Sequence, residues 1–171
     1  MKTLMRIAML VLMAAAPAFA ESGKAVLRGT TEGSSVSGTA VLTDTPEGLK
    51  ITISVEHVAP GQHGLHVHQF GRCDDGGQAA GGHYNPDGVK HGYLPNDGFE
   101  QAHAGDLGNI EVGDDGTGSL ELIVPNLRLS GGRYTVGGRS IILHDKVDDF
   151  GQPLGNAGSR IGCGAIVVTS D

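Results

Sequence analysis

Leu49-Lys50-Ile51-Thr52-Ile53-Ser54-Val55-Glu56 alternates apolar and polar side chains without a break. A strand turns successive side chains to opposite faces, whereas a helix would scatter this pattern around its circumference. The segment therefore reads as a β-strand with one face on a core and the other in water. Working outward, weaker runs of the same kind occupy 24–30, 35–44, 63–70, 107–112, 117–124, 140–144 and 161–169, with turn sequences such as Gly113-Asp114-Asp115-Gly116 between them. Twenty-nine glycines in 171 residues and the absence of Trp fit many short strands joined by turns. Eight such strands predict an all-β domain, an antiparallel sandwich or barrel.

The chain opens with Lys2 and Arg6, an apolar run over 7–16 and then Ala18-Phe19-Ala20, the layout of a secretory signal peptide with its cleavage site. Residues 1–20 are therefore expected to be removed, leaving one domain over 21–171. No later run is apolar enough to span a bilayer, so no membrane partner is expected. Losing Lys2 and Arg6 takes the formal charge from −7 to −9, which argues against nucleic acid or anionic lipid as a partner. The two cysteines, Cys73 and Cys163, in an exported chain predict one disulfide. Two thiolates acting as soft metal ligands are the alternative, disfavoured because no Cys-x-x-Cys spacing is present.

Beside the diagnostic strand lies Gly61-Gln62-His63-Gly64-Leu65-His66-Val67-His68-Gln69-Phe70-Gly71. If it is extended, His66 and His68 share one face while Leu65 and Val67 share the other. Two long segments without strand periodicity follow, 72–106 and 145–160, rich in Gly, Asp, Asn and Pro. Loops of that length in a compact domain tend to carry function. Six of the eight histidines (His66, His68, His83, His91, His103 and His144) fall in or beside these stretches, and Asp106 follows His103 by three residues. Histidine with carboxylate suits zinc or copper, and the count fills two four-coordinate sites if one ligand is shared. Spacing alone leaves open which histidine serves which ion. His63 reads as a buried histidine bonded to backbone, His57 as structural or exposed, and Phe70, Leu65 and Val67 as core.

Taken in order, His63-Gly64-Leu65-His66-Val67-His68-Gln69-Phe70-Gly71, Gly82-His83-Tyr84-Asn85-Pro86, His91-Gly92, His103-Ala104-Gly105-Asp106-Leu107-Gly108-Asn109, His144-Asp145-Lys146-Val147-Asp148-Asp149 and the run from Gly155 to Gly164 resemble the copper/zinc superoxide dismutases. The resemblance extends from about Lys24 to the C-terminus. It implies an all-β, eight-stranded antiparallel Greek-key β-barrel/sandwich, immunoglobulin-like, with two long functional loops. It also implies dismutation of superoxide to dioxygen and hydrogen peroxide by a copper ion that is alternately reduced and re-oxidised, joined to a structural zinc. By the same resemblance copper falls to His66, His68, His83 and His144, and zinc to His83, His91, His103 and Asp106. His83 is then the shared ligand and a catalytic residue, Asp148 links His66 to His91, and Arg160 is catalytic, attracting and positioning the superoxide anion.

The second long loop is several residues shorter than its counterpart in the eukaryotic enzymes and lacks their glutamate run with a lysine. Lys90, beside His91, is therefore a candidate for assisting Arg160 in drawing in the anion. The signal layout and short loop resemble a bacterial periplasmic member. A homodimer is compatible with the resemblance, but dimer contacts are not carried over because oligomer architecture differs within the family. A copper-delivery protein on the same fold is opposed by the complete ligand set and Arg160. A zinc hydrolase is opposed because four zinc ligands leave no open position for water.

Overall fold

The computed structural model describes residues 21–169; the expected signal segment 1–20 lies outside the described residues. Eleven strands are present among the described residues: β1 (Ser22–Gly29), β2 (Ser37–Thr45), β3 (Gly48–Glu56), β4 (Gly61–His68), β5 (Asp106–Val112), β6 (Gly118–Val124), β7 (Leu127–Arg128), β8 (Tyr134–Thr135), β9 (Ser140–His144), β10 (Arg160–Ala165) and β11 (Val167–Thr169). Every expected strand is found. The last of them is divided at Ile166, whose N–H turns aside to the Arg139 carbonyl at 2.8 Å. β1 pairs with both β10 and β11, so the antiparallel circuit β1-β2-β3-β6-β5-β4-β9-β10 closes on itself. Counting β10 and β11 as one strand, this is an eight-stranded barrel. Strands β4, β5 and β6 run as neighbours and bring β6 beside β3, which is the Greek-key order. Closure leaves no long unpaired edge.

The diagnostic strand behaves as its alternation requires. Leu49, Ile51, Ile53 and Val55 are buried while Thr52, Ser54 and Glu56 are exposed. Leu27, Leu42, Leu65, Leu107, Ile110, Ile141 and Leu143 complete the barrel interior, and each fully buried Leu or Ile contributes roughly 1.5–3 kcal/mol. Further elements were not expected: β7 and β8 pair in parallel, two residues each, and the first loop carries short helical turns at Gln78–Ala80 and Leu94–Asp97.

β4 is buried on both faces beyond Gln62. Leu65 and Val67 enter the barrel core, and His66 and His68 point the other way, under the two long loops. The first loop is fastened to β4 by main-chain bonds from Val67 N to Gly105 O (2.8 Å) and Tyr84 N to Val67 O (2.9 Å), and closed on itself by Gly105 N to Tyr84 O (2.9 Å). Only a residue without a side chain can lie that close: a Cβ on Gly105 would collide with the Val67 carbonyl. That requirement accounts for the glycine between His103 and Asp106. The disulfide Cys73–Cys163 is formed and ties the same loop to β10, with Cα atoms 5.7 Å apart.

Candidate metal centre

The pairings of β4 with β5 and of β9 with β10 are each interrupted by a register shift, beside His66 and beside Arg160. Bulges of this kind re-aim side chains at the rim of a barrel. Here they leave His66 opposite Asp106 and Arg160 opposite His144. His68 in turn forms an isolated bridge with His83 of the first loop.

These contacts gather the expected residues into two groups. His66, His68, His83 and His144 form one, and His83, His91, His103 and Asp106 the other, with the candidate ligand atoms of each group all within 4.8 Å of one another. His83 belongs to both. All seven residues are buried.

The hydrogen bonds fix which atom of each ring is free. His66 Nε2 donates to Asp148 Oδ2 at 2.8 Å, His68 Nδ1 to Gly81 O at 3.0 Å and His144 Nδ1 to Gly158 O at 3.2 Å. Their other ring nitrogens, His66 Nδ1, His68 Nε2 and His144 Nε2, are buried with no hydrogen-bond partner. A buried polar atom left bare is costly. Three such lone pairs aimed at one point, with His83 beside them, fit a cation.

The second group follows the same logic. His91 donates Nε2–H to Asp148, at 2.9 and 3.0 Å from its two oxygens. His91 Nδ1 lies 2.9 Å from Asp106 Oδ2 but off the axis of a hydrogen bond, so this nitrogen too is unpartnered. That is the geometry of two ligands converging on an ion rather than of donor and acceptor. Asp106 Oδ2 accepts from the Gly92 and His103 amides at 3.0 and 2.9 Å, which turns Oδ1 toward His83 Nδ1 (2.9 Å) and His103 Nδ1 (3.1 Å). Three nitrogens and one carboxylate oxygen make a closed tetrahedral zinc set, and four imidazoles suit copper. His66, His91 and Asp148 also lie together, but hydrogen bonds already saturate that triad.

Asp148 is itself held. Its amide donates to Asn109 Oδ1 at 2.7 Å, Asn109 Nδ2 returns a bond to its carbonyl at 2.9 Å, and the Phe150 amide donates to Oδ1 at 2.8 Å. Gly155, at φ 73°, packs against this carboxylate, where a Cβ would overlap Asp148 Oδ1 and the His91 ring. Gly155→Ala is therefore expected to displace Asp148 and weaken zinc retention by about 10- to 100-fold, the cost typical of losing an outer partner of metal ligands. Competition with a chromophoric chelator measures it, and unchanged retention would show that the carboxylate does not orient His91.

Burial lowers the pKa of His68 to about 2, only partly opposed by the Gly81 bond; that of His144 falls to about 3 for the same reason, helped by the neighbouring His66. Burial likewise brings His83 down to about 4, against the Asp106 hydrogen bond that pulls it up. For His91 burial acts downward too, but the carboxylate of Asp106 beside its Nδ1 and the bonds to Asp148 outweigh it and raise its pKa to about 9. Burial pushes Asp106 and Asp148 upward, and their histidine partners more than reverse this, holding both well below the usual carboxylate range.

In the metal-free protein these lowered imidazole pKa values make the fold sensitive to acid. Below pH 6.5 the unfolded chain takes up protons at His68, His83 and His144 while the folded chain does not until about 4 or lower. Stability is therefore expected to fall from pH 6.5 to 4.5, by at most roughly 1.4 kcal/mol per ring per pH unit. His91 contributes stability below its unfolded value and loses it only as pH rises through about 9, so it is silent in this window. Urea midpoints at pH 6.5 and 5 check the prediction; equal midpoints would contradict it.

Arg160 donates Nη1–H to Gly77 O at 2.6 Å and Nη2–H to Gly81 O at 2.7 Å. With His68, His83, His144, Pro153 and Leu154 it lines a cavity of about 410 Å³ over the first group. Burial lowers its pKa from the ordinary value, yet a guanidinium remains a cation. Lys90 is exposed and lines a neighbouring cavity with His103 rather than this one. His63 is buried with its nitrogens 2.9 Å from His144 O and 2.8 Å from Ala59 O, outside both groups. His57 is exposed. Phe70 is a correction: its apolar type implied a core position, but β4 ends at His68, short of the expected 63–70, and Phe70 stands beyond it 55 % exposed. Asn109, Gln152 and Gly155 support the centre, and their roles carry no local sequence signal because their partners are distant in the chain.

A protein-family model described as Copper/zinc superoxide dismutase (SODC) matches residues 36–166. The extracellular superoxide dismutase [Cu-Zn] of Caenorhabditis elegans is 42 % identical over 125 residues, covering 69 % of this chain and 55 % of that protein. The chain thus spans about half the length of that relative. Superoxide dismutase [Cu-Zn] 5 of Dictyostelium discoideum is 46 % identical over 116 residues, 64 % of this chain and 74 % of that protein. Among solved structures, the crystal structure of the clock protein EA4 superposes with a TM-score of 0.77 at 32 % identity, over 92 % of this chain and all of that one.

Proposed function

The chain belongs to the copper/zinc superoxide dismutase family, and on that premise we propose that it converts superoxide to dioxygen and hydrogen peroxide. The observation that carries the reading is the convergence of His66 Nδ1, His68 Nε2 and His144 Nε2, all bare and buried, beside His83. Those four residues would hold copper, and His83, His91, His103 and Asp106 zinc. Copper supplies one-electron exchange in both directions with superoxide, which zinc does not.

The remaining work belongs to the protein. Gly81 O, Gly158 O and Asp148 each take a ring N–H, so that the opposite nitrogen presents a lone pair rather than a proton. His83 alone belongs to both groups, and with its Nδ1 turned to Asp106 and His103, Nε2 is the atom left to hold a proton beside the anion and pass it to the product. Arg160 lies on the wall of the cavity leading to these rings, with two of its donors committed to carbonyls and its charge directed at an incoming anion. Metal analysis together with superoxide dismutation on the purified protein tests the reading. Absence of copper, or copper without turnover, would overturn it.

Lys90 is the proposed assistant to Arg160 on a chain whose described domain is strongly acidic. Lys90→Ala is expected to lower the second-order rate modestly, about 2-fold at low ionic strength, and to flatten its salt dependence. An unchanged rate and salt dependence would exclude it. The segment over 1–20, the disulfide and the extracellular relative support an exported protein, and the short second loop supports a bacterial periplasmic member. A mature N-terminus at Glu21 in a periplasmic extract is the expected finding.

A further inference from the structure

The second long loop grips His91 at three points. Asp148 receives its ring N–H, Phe150 stacks on the ring at 6.4 Å and 21°, and Gln152 pairs with its main chain. The Gln152 side chain does this with both ends of its amide: Oε1 accepts from the His91 N–H at 3.1 Å and Nε2 donates to the His91 carbonyl at 2.9 Å. Pro153 and Leu154 come next in the chain and form a wall common to two cavities, the one beside Arg160 and a neighbouring one of about 400 Å³ that contains Lys90 and His103. Leu154 is 47 % exposed, so core packing does little to hold that wall. Its far end is Gly155, seated against Asp148 and the His91 ring. Both ends of the wall are thus fastened on His91.

We propose that Gln152 is a positioning residue that tethers the Pro153–Leu154 wall to the main chain of His91, keeping the copper-side cavity narrow enough to admit small anions and refuse bulky ones. The inference rests on the copper assignment above. A glutamine amide suits the role because it matches one N–H and one carbonyl at once; a carboxylate would keep only the first bond and alanine neither. Two partly exposed hydrogen bonds of ordinary net strength correspond to about a 10-fold change in how often the wall opens.

The test compares wild type, Gln152→Ala and Gln152→Glu as metal-loaded proteins. It reads amide hydrogen exchange at His91, the rate of copper removal by the bulky chelator diethyldithiocarbamate, and azide affinity from visible absorption. In Gln152→Ala, exchange and copper removal are expected to quicken about 10-fold while azide affinity stays within about 2-fold, with Gln152→Glu between the two. Unchanged exchange would show that the tether does not exist. Faster exchange with unchanged copper removal would deny it a part in selectivity, and a parallel fall in azide affinity would mean that the ligand set itself had been distorted. Any of these three results overturns the proposal in a copper-loaded protein, whereas a protein that takes up no copper removes the parent reading and this one with it.

Discussion

The His83→Ala protein is expected to lose superoxide dismutation by more than about 100-fold while keeping its barrel. His83 is the one side chain in both ligand groups, with Nδ1 2.9 Å from Asp106 Oδ1 and its ring stacked on His66 at a centroid distance of 4.0 Å. Outer partners of metal ligands typically cost 10- to 100-fold when lost. Removing a ligand from two sites at once should exceed that range, and it also removes the atom proposed to hold the proton. The fold should survive because His83 lies on the first loop, outside the barrel core. Copper and zinc content, dismutation rate and near-ultraviolet circular dichroism measure the three parts of the prediction. Full occupancy of both metals with activity within about 10-fold of wild type would refute the shared-ligand assignment.

What could be read before the structure divides along the range of the interactions. Strand β3 was legible because a two-residue period is local, and the same period placed His66 and His68 opposite Leu65 and Val67. The parallel pair β7 and β8 was not, since two-residue strands carry no period. Nor did spacing say that His83 rather than His91 belongs to both groups; that expectation came from the family resemblance, and it takes physical form in the fastening of Gly105 and Tyr84 to Val67. Asn109 binds Asp148 across 39 residues and Gln152 binds His91 across 61. Neither residue type announces such a partner. Phe70 shows the converse error, an apolar residue given to the core by its type although it lies past the point where its strand stops.

Opening the Cys73–Cys163 bridge, by reduction or by the paired change Cys73→Ala/Cys163→Ala, is expected to act on stability and on anion capture together. The bridge closes a separation of 90 residues, and loop-closure entropy for such a span gives an upper value a little under ~4.7 kcal/mol, with about 2–5 kcal/mol usual for a native bridge. The second effect follows from what the bridge holds. The Cys73 carbonyl accepts the Gly77 amide at 3.2 Å, and the turn that follows presents Gly77 O and Gly81 O to Arg160. The Gly81 carbonyl also receives His68 Nδ1–H, so one atom positions both the cation proposed to capture the anion and a copper ligand. With Cys163 only three residues beyond Arg160, the bridge fixes both sides of that contact. Arg160 has no other such anchor at its Nη atoms among the described residues, whereas His68 keeps its place on β4. The reduced, metal-loaded protein should therefore retain copper yet turn over superoxide about 10-fold more slowly, with a weaker dependence on salt as the guanidinium disperses. Denaturant unfolding, metal content and rate against ionic strength on the same sample separate the two effects. A loss of stability with unchanged rate and salt dependence would mean that Arg160 is held in place without the bridge.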